Sequence, residues 1–334
     1  MKLATLRSES PDGQLVIVSR DLQRMAPADD LYPNLQSALD NWPVAEPQLR
    51  SRFDVLNAGA TRAAEAFDAA RAMAPLPRSY QWLDGSAFQS HGDLMSKVFG
   101  LDNPQTDRPL MYQGMSHEFL AGGADVALPA EEDGIDFEGE FAVITDHVPM
   151  AVSVEAAATH IRLLVQINDW SLRTLAPVEM KTGFGWVQAK PACSMAPIAL
   201  TPDELGAAWD QGRVALPLHV WWNERKFGAA NGSAMAFSFP QLVAHAAHTR
   251  RLCAGTIIGS GTVSNEHFRD IGSSCIAERR AIELLDNGAA RTSYMRFGDT
   301  VRMQARAVDD STPFGEIRQR VVALRADAAS LKVG

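Results

Sequence analysis

The stretch DFEGEFAVIT occupies positions 136–145 and joins three acidic side chains to an apolar run. The apolar run predicts a strand over 139–145, and residues two apart in a strand point to the same side. Glu138 and Glu140 would therefore project together, and their like charges would repel unless a cation or a proton lay between them. Gly139 leaves room for another segment or a ligand. A solvated strand edge with two surface glutamates is the alternative interpretation.

A second acidic position follows the next apolar strand, predicted over 163–168. The sequence continues as QINDWSLR, which places Asp169 and Arg173 where the strand ends. Functional residues often lie at such exits. An Asx turn or a helix N-cap is the alternative.

A third segment, LDGSAFQSH at 83–91, contains one carboxylate and one imidazole, Asp84 and His91. The segment is able to supply both a metal ligand and a general base. Read alone, an Asp-Gly turn followed by a surface histidine explains it equally well. Carboxylate ligands of this kind select Mg²⁺, Ca²⁺ or Mn²⁺.

The composition excludes several classes of protein. The chain has 334 residues, 46% hydrophobic and 21% charged, and a net charge of −9 with no dense Lys/Arg run, so nucleic-acid binding is not expected. No 18-residue apolar run predicts a membrane span, and no signal peptide is indicated. Three widely spaced cysteines predict reduced thiols in a cytoplasmic protein.

Local patterns predict an α+β protein with two domains. Residues 2–7 and 14–19 flank a Pro-Asp-Gly turn and predict a hairpin, and two helices are predicted over 33–41 and 47–73. A proline-bearing link follows, so we place a small N-terminal domain at 1–75 and a larger catalytic domain at 76–334. Its further predicted strands cover 195–200, 214–222 and 255–260, and its further predicted helices cover 153–161 and 239–253.

In chain order, the acidic segments are the one with Asp84 and His91, the one with Glu138 and Glu140, and the one with Asp169. Lys190 in VQAKPA and the stretch GSGTVSN at 259–265 follow them. This ordered set resembles the fumarylacetoacetate hydrolase family over about residues 76–310. The resemblance implies a mixed β-roll, or β-sandwich-like, catalytic domain, a separate N-terminal domain and a homodimer.

The resemblance also implies roles for individual residues. The positions that match the family's metal ligands are Asp84, Glu138, Glu140 and Asp169. The positions that match its catalytic groups are His91, Lys190 and Arg173, with Glu278 to orient the histidine and Glu266 as the alternative. Tyr112 and Thr262 match substrate contacts. The implied cofactor is Mg²⁺, Ca²⁺ or Mn²⁺.

Two positions depart from the pattern of the members that cleave fumarylacetoacetate. Ser86 stands where those members carry a second substrate-binding tyrosine, and Ala176 stands near the position of a glutamine. These differences concern the substrate more than the metal site.

The implied reaction is hydrolysis of a carbon–carbon bond in a β-diketo acid, fumarylacetoacetate or an acylpyruvate, as in aromatic catabolism. The same scaffold also supports decarboxylases, hydratases and isomerases of 2-keto acids. A non-catalytic metal-binding assembly protein is the alternative from another class, in which the cation would be structural.

Overall fold

The computed structural model describes residues 1–99 and 108–325. Residues 100–107 and 326–334 of the predicted catalytic domain lie outside the described part. In chain order, the strands of this part are β1 (Lys2–Leu6), β2 (Gln14–Val18), β3 (Arg24–Pro27), β4 (Glu65–Ala66), β5 (Trp82–Gly85), β6 (Met111–Gly114), β7 (Leu120–Ala121), β8 (Val126–Leu128), β9 (Ile135–Asp136), β10 (Gly139–Thr145), β11 (Ile161–Asn168), β12 (Ser171–Leu172), β13 (Ser194–Met195), β14 (Ala199–Leu200), β15 (Trp209–Asp210), β16 (Arg213–Val214), β17 (Pro217–Trp222), β18 (Arg225–Asn231), β19 (Ile257–Gly259), β20 (Thr300–Ala305) and β21 (Ile317–Ala323).

Helices are fewer than strands in the described residues and lie around the sheets. They are α1 (Leu35–Leu39), α2 (Trp42–Asn57), α3 (Gln89–Phe99), α4 (Val154–Ala158), α5 (Ala176–Thr182), α6 (Phe239–Ala246), α7 (Phe268–Ile271) and α8 (Ile276–Asn287), with 3₁₀ turns at Ala69–Arg71, Glu131–Asp133, Pro202–Ala208 and Gly232–Ala234. The predicted α+β class is confirmed.

The larger sheet runs in the order β4-β3-β2-β1-β14-β11-β10-β19-β5-β6, and β13 and β7 are attached beside β11. The predicted hairpin is present, since β1 and β2 pair antiparallel. The other edge of β1 pairs with β14, so the N-terminal segment extends the sheet of the larger part. The acidic strand β10 lies between β11 and β19 near the middle of this sheet.

A second sheet has the order β18-β17-β20-β21-β8 and packs against the first. The two sheets approach closely at Gly139, where an added Cβ would lie 2.9 Å from Leu218. Phe141, Leu218 and Met303 are fully buried in the core that includes this contact. The glycine in the acidic stretch therefore allows close packing of the second sheet.

Successive residues of β10 contribute to two different cores. Phe141 belongs to the core shared with the second sheet, whereas Ala142 belongs to the core beneath α2. Trp42 and Phe53 of α2 pack in that second core with the strands of the N-terminal hairpin. Because both faces of β10 are covered, acidic groups at its start are buried with it.

One predicted helix was too long. The helix predicted over 47–73 begins earlier, at Trp42, and ends at Asn57. Residues beyond it are largely exposed, and Gly59 has φ +69°. Good helix formers without a face to bury do not sustain a helix, and part of this segment pairs as β4 with β3 instead.

Candidate metal centre and active site

Three carboxylates from separate strands meet at one end of the larger sheet. Asp84 lies on β5, Glu140 lies on β10, and Asp169 directly follows β11. One oxygen of each lies within 4.8 Å of the others, and all three residues are buried. The structure therefore brings together three of the four predicted metal ligands.

Two glycines adjoin the Asp84 carboxylate: one donates a hydrogen bond to it, and the other leaves room for it. The backbone N–H of Gly261 donates to its Oδ1 at 3.0 Å. A Cβ added to Gly259 would lie 2.3 Å from the same oxygen and 2.5 Å from the Trp82 ring. Only glycine fits at position 259, because any side chain there would displace the carboxylate.

Oxygens without a protein partner line this cluster. Both oxygens of Glu140 and Oδ1 of Asp169 are buried and have no hydrogen-bond partner in the described residues. Burial and the nearby Asp169 raise the pKa of Asp84 to about 8. Burial and the Asp84 charge hold the pKa of Glu140 well above its usual range. A divalent cation would satisfy these oxygens and their excess charge, so the residues fit the metal that the sequence implies.

Glu138 lies in a different environment, although it is only two residues from Glu140. Its carboxylate accepts hydrogen bonds from Arg173 Nη2 and, at 2.6 Å, from Lys190 Nζ. Burial opposes its ionisation, but these two cations hold the pKa of Glu138 at about 2. Glu138 lies outside the group of three carboxylates, and its charge is already balanced by protein groups.

Lys190 connects the two environments. Its ammonium donates to Glu138 at 2.6 Å and to Asp169 Oδ2 at 2.7 Å. The Tyr112 hydroxyl donates to the same Asp169 oxygen at 2.5 Å. Lys190 and Tyr112 therefore both contact a predicted metal ligand.

Arg173 is anchored by Asp136, for which the sequence analysis had no role. Arg173 Nε donates to Asp136 Oδ2 at 2.8 Å. The first N–H groups of α8, those of Ile276 and Ala277, donate to the same carboxylate at 2.7 and 2.9 Å. Asp136 thus fixes α8 beside the site. The alternation Asp-x-Glu-x-Glu is the signal that would have included it.

The predicted imidazole and its predicted orienting carboxylate lie side by side. His91 is in the first turn of α3, and its Nδ1 is 3.9 Å from Glu278 Oε2 on α8. The other Glu278 oxygen accepts from Ser264 at 2.6 Å, and Ser90 donates to Ser264 at 2.8 Å. Glu278 is fully buried, whereas the alternative residue, Glu266, is exposed.

The remaining predicted substrate contacts differ in exposure. Thr262 is buried next to Gly261, and Ser86 is exposed just beyond β5. Ala176 is the first residue of α5 and is half-buried. His91 is among the groups that lower the pKa of Glu138, so the imidazole lies near that carboxylate.

Trp186 is a site residue that the sequence analysis did not identify. Its ring centroid is 4.8 Å from that of Tyr112, and Lys190 Nζ lies 5.4 Å from the Trp186 ring. An aromatic residue four positions before the lysine, in WVQAK, is the signal that would have pointed to it.

Two family profiles match consecutive parts of the chain. The fumarylacetoacetate hydrolase C-terminal profile matches residues 81–322, and the fumarylacetoacetase N-terminal domain 2 profile matches residues 1–78. The chain belongs to the fumarylacetoacetate hydrolase family. The predicted family-type fold is confirmed.

Three relatives illustrate the range of reactions in proteins similar to this chain. The mitochondrial oxaloacetate tautomerase of Bos taurus is 26% identical over 190 residues, which are 56% of this chain and 83% of that protein. The maleylpyruvate hydrolase of Sphingobium sp. SYK-6, solved with manganese(II) and pyruvate, is 16% identical with a TM-score of 0.62. The 5-carboxymethyl-2-hydroxymuconate delta-isomerase of Mycobacterium smegmatis is 17% identical with a TM-score of 0.58. Each structural match covers 97% of this chain and 100% of the other.

These relatives are enzymes, and the maleylpyruvate hydrolase structure contains Mn²⁺. Within the described residues, no helix combines the length and apolar character needed to span a bilayer.

Proposed function

We propose that the protein is a divalent-metal-dependent hydrolase that cleaves a carbon–carbon bond in an acylpyruvate-type β-diketo acid. The observation that carries the proposal is the placement of His91 3.9 Å from the buried Glu278, in a chain that also brings three buried carboxylates together. Water adds to the substrate, R–CO–CH₂–CO–COOH, and the products are R–COOH and pyruvic acid, CH₃–CO–COOH. Family membership and the hydrolase among the relatives support the same reaction.

Asp84, Glu140 and Asp169 would hold the cation, and Glu138 remains a predicted fourth ligand. When bound, the cation supplies Lewis-acid polarisation of the substrate's oxygens. We extend the proposal to Mg²⁺, Ca²⁺ or Mn²⁺ as the ion and to a homodimer as the assembly.

His91 accepts a proton from water, and Glu278 orients the imidazole. The hydroxide attacks the acyl carbonyl, and Lys190 and Arg173 provide positive charge towards the developing oxyanion. The bond to the methylene carbon then breaks, and the protonated His91 returns its proton to that carbon. Tyr112, Thr262 and Ser86 are proposed substrate contacts.

The first test is the substitution His91→Ala, assayed on a panel of acylpyruvates with Mn²⁺. We expect kcat to fall by about 10²–10⁴-fold, because a positioned base contributes about that factor. Calorimetry should find Mn²⁺ affinity near that of the parent. The exposed His117, changed to Ala, is the matched control and should retain activity. Full activity of His91→Ala would exclude His91 as the base.

A second candidate is a 2-keto acid tautomerase or isomerase, favoured by the sequence match to the bovine oxaloacetate tautomerase. NMR of the reaction mixture separates the candidates, since hydrolysis yields two acids, isomerisation one rearranged acid, and decarboxylation releases CO₂.

Chelation distinguishes a catalytic metal from a structural metal. Loss of turnover on chelation supports an enzyme, whereas loss of thermal stability from a protein without activity on these acids supports an assembly protein.

A further inference from the structure

The loop between α5 and Lys190 places one aromatic ring over the site. We define the Trp186 loop as residues 183–189. The Trp186 ring is half-buried, whereas Lys190 is only 7% exposed. Lys190 Nζ lies 5.4 Å from the Trp186 ring and 5.2 Å from the Tyr112 ring. The two rings therefore stand beside the ammonium that contacts Asp169 and Glu138.

The Trp186 loop is held in one conformation by a single carboxylate. Glu179 of α5 accepts hydrogen bonds from three successive backbone N–H groups, those of Val187, Gln188 and Ala189, at 2.9–3.2 Å. Gly183 and Gly185 have φ values of +72° and +97°, which favour glycine. Glu179 thus holds the backbone that directly follows Trp186, which reduces the entropic cost of ordering this loop when a substrate binds.

The Trp186 and Tyr112 rings disfavour a second negative group of the substrate placed against them. The face of an aromatic ring carries partial negative charge, so a carboxylate placed against it is repelled. A planar apolar group gains stacking energy at the same place.

We propose that Trp186 is a specificity-determining residue that selects acylpyruvates with a planar, apolar acyl group over those whose acyl group ends in a second carboxylate. This inference rests on the proposed function and names its substrate class. Glu179 acts as a positioning residue, because it holds the loop and not the substrate.

The test compares benzoylpyruvate, acetylpyruvate and fumarylpyruvate as substrates of the Mn²⁺-loaded protein. We expect the parent to favour benzoylpyruvate over fumarylpyruvate in kcat/KM. Trp186→Ala should raise KM for benzoylpyruvate about tenfold, equivalent to about 1.4 kcal/mol, while KM for acetylpyruvate changes little. Trp186→Phe should recover most of the loss, and Glu179→Ala should reproduce the selective rise in KM.

Phe184→Ala is the matched control, since this neighbouring aromatic side chain is 97% exposed. It should leave all three KM values near those of the parent. Equal losses on all three substrates in Trp186→Ala, or a parent that prefers fumarylpyruvate, would overturn the inference.

A separate binding measurement distinguishes failure of this inference from failure of the proposed function. If the parent cleaves none of the three substrates, the proposed hydrolase function fails. Calorimetry with phenylpyruvate and oxaloacetate then still tests whether the Trp186 ring selects the bound group. The selection of planar apolar groups is supported if the parent binds phenylpyruvate more tightly than oxaloacetate and Trp186→Ala binds phenylpyruvate more weakly. It is refuted if the parent and Trp186→Ala bind phenylpyruvate with equal affinity.

Discussion

Glu138 and Glu140 lie two residues apart at the start of one strand, yet their environments are opposite. Two cations contact Glu138 and hold its pKa at about 2, whereas burial and neighbouring carboxylates raise the pKa of Glu140 well above its usual range. Both oxygens of Glu140 lack a partner in the described part of the chain, and those of Glu138 do not. The comparison separates a carboxylate that holds cationic side chains in place from one that is available to a metal ion.

The largest expected effect comes from removing one of the two cations that contact Glu138. Arg173→Met would leave Asp136 and Glu138 buried with one cation fewer, and removing one partner of a buried ion pair costs about 3–5 kcal/mol. Urea unfolding in the presence of a chelator measures the loss.

The matched control for this prediction is Arg318→Met, because Arg318 pairs with Glu224 on the surface. It should cost no more than about 1 kcal/mol. Adding Glu138→Gln to Arg173→Met should recover part of the stability. Similar losses in Arg173→Met and Arg318→Met would show that the Arg173 network does not stabilise the fold.

A smaller effect is expected from changing Glu140, whose carboxylate has no hydrogen-bond partner in the described residues. Glu140→Gln should weaken Mn²⁺ binding by more than about 100-fold, since even groups that only orient a ligand contribute about 10–100-fold. Glu138→Gln should weaken it less, because Glu138 is held by Arg173 and Lys190. Calorimetry compares the two variants with the exposed Glu132→Gln. Equal losses at 138 and 140 would show that both glutamates ligate.

A further expected effect is a pH dependence of the metal-free protein. The folded-state pKa of Asp84 is raised from 3.8 to about 8, so between these values the native state binds more protons than the unfolded state. Stability should therefore fall as pH rises from about 4 to 8. Glu138, with a pKa of about 2 against 4.5 unfolded, should contribute no slope above about pH 5.

Urea unfolding at pH 5 and pH 8 with a chelator measures this slope. We expect a loss of at least about 1 kcal/mol between the two values, since one pKa unit corresponds to about 1.36 kcal/mol. The decline should be smaller in Asp84→Asn. An unchanged slope in that variant would assign the effect to other groups.

Strong local patterns predicted the secondary structure well where tertiary packing agreed with them. The strand predicted over 139–145 is β10, Gly139–Thr145, and the strand predicted over 163–168 begins two residues earlier, at Ile161. The strands predicted over 195–200 and 214–222 are each divided in two, with Pro197 and Pro217 at the divisions. Proline removes a donor from the ladder, and the apolar pattern alone does not reveal this break.

Helix lengths depended on what the helices pack against. The helix predicted over 153–161 ends at Ala158, and β11 begins at Ile161. The helix predicted over 239–253 ends at Ala246, and Leu252 instead forms a bridge with Val148. Residue propensity does not report such competition for partners.

The sequence by itself determined which side chains supply oxygen, imidazole and ammonium groups, and the strand that carries Glu140, because alternation and apolar runs are local properties. Only the tertiary structure decided that Glu138 pairs with Lys190, that Glu278 and not Glu266 lies beside His91, and that Trp186 covers Lys190. Two of these three contacts join residues far apart in the chain, and all three depend on sheet register and loop conformation, which one sequence does not encode in any local pattern.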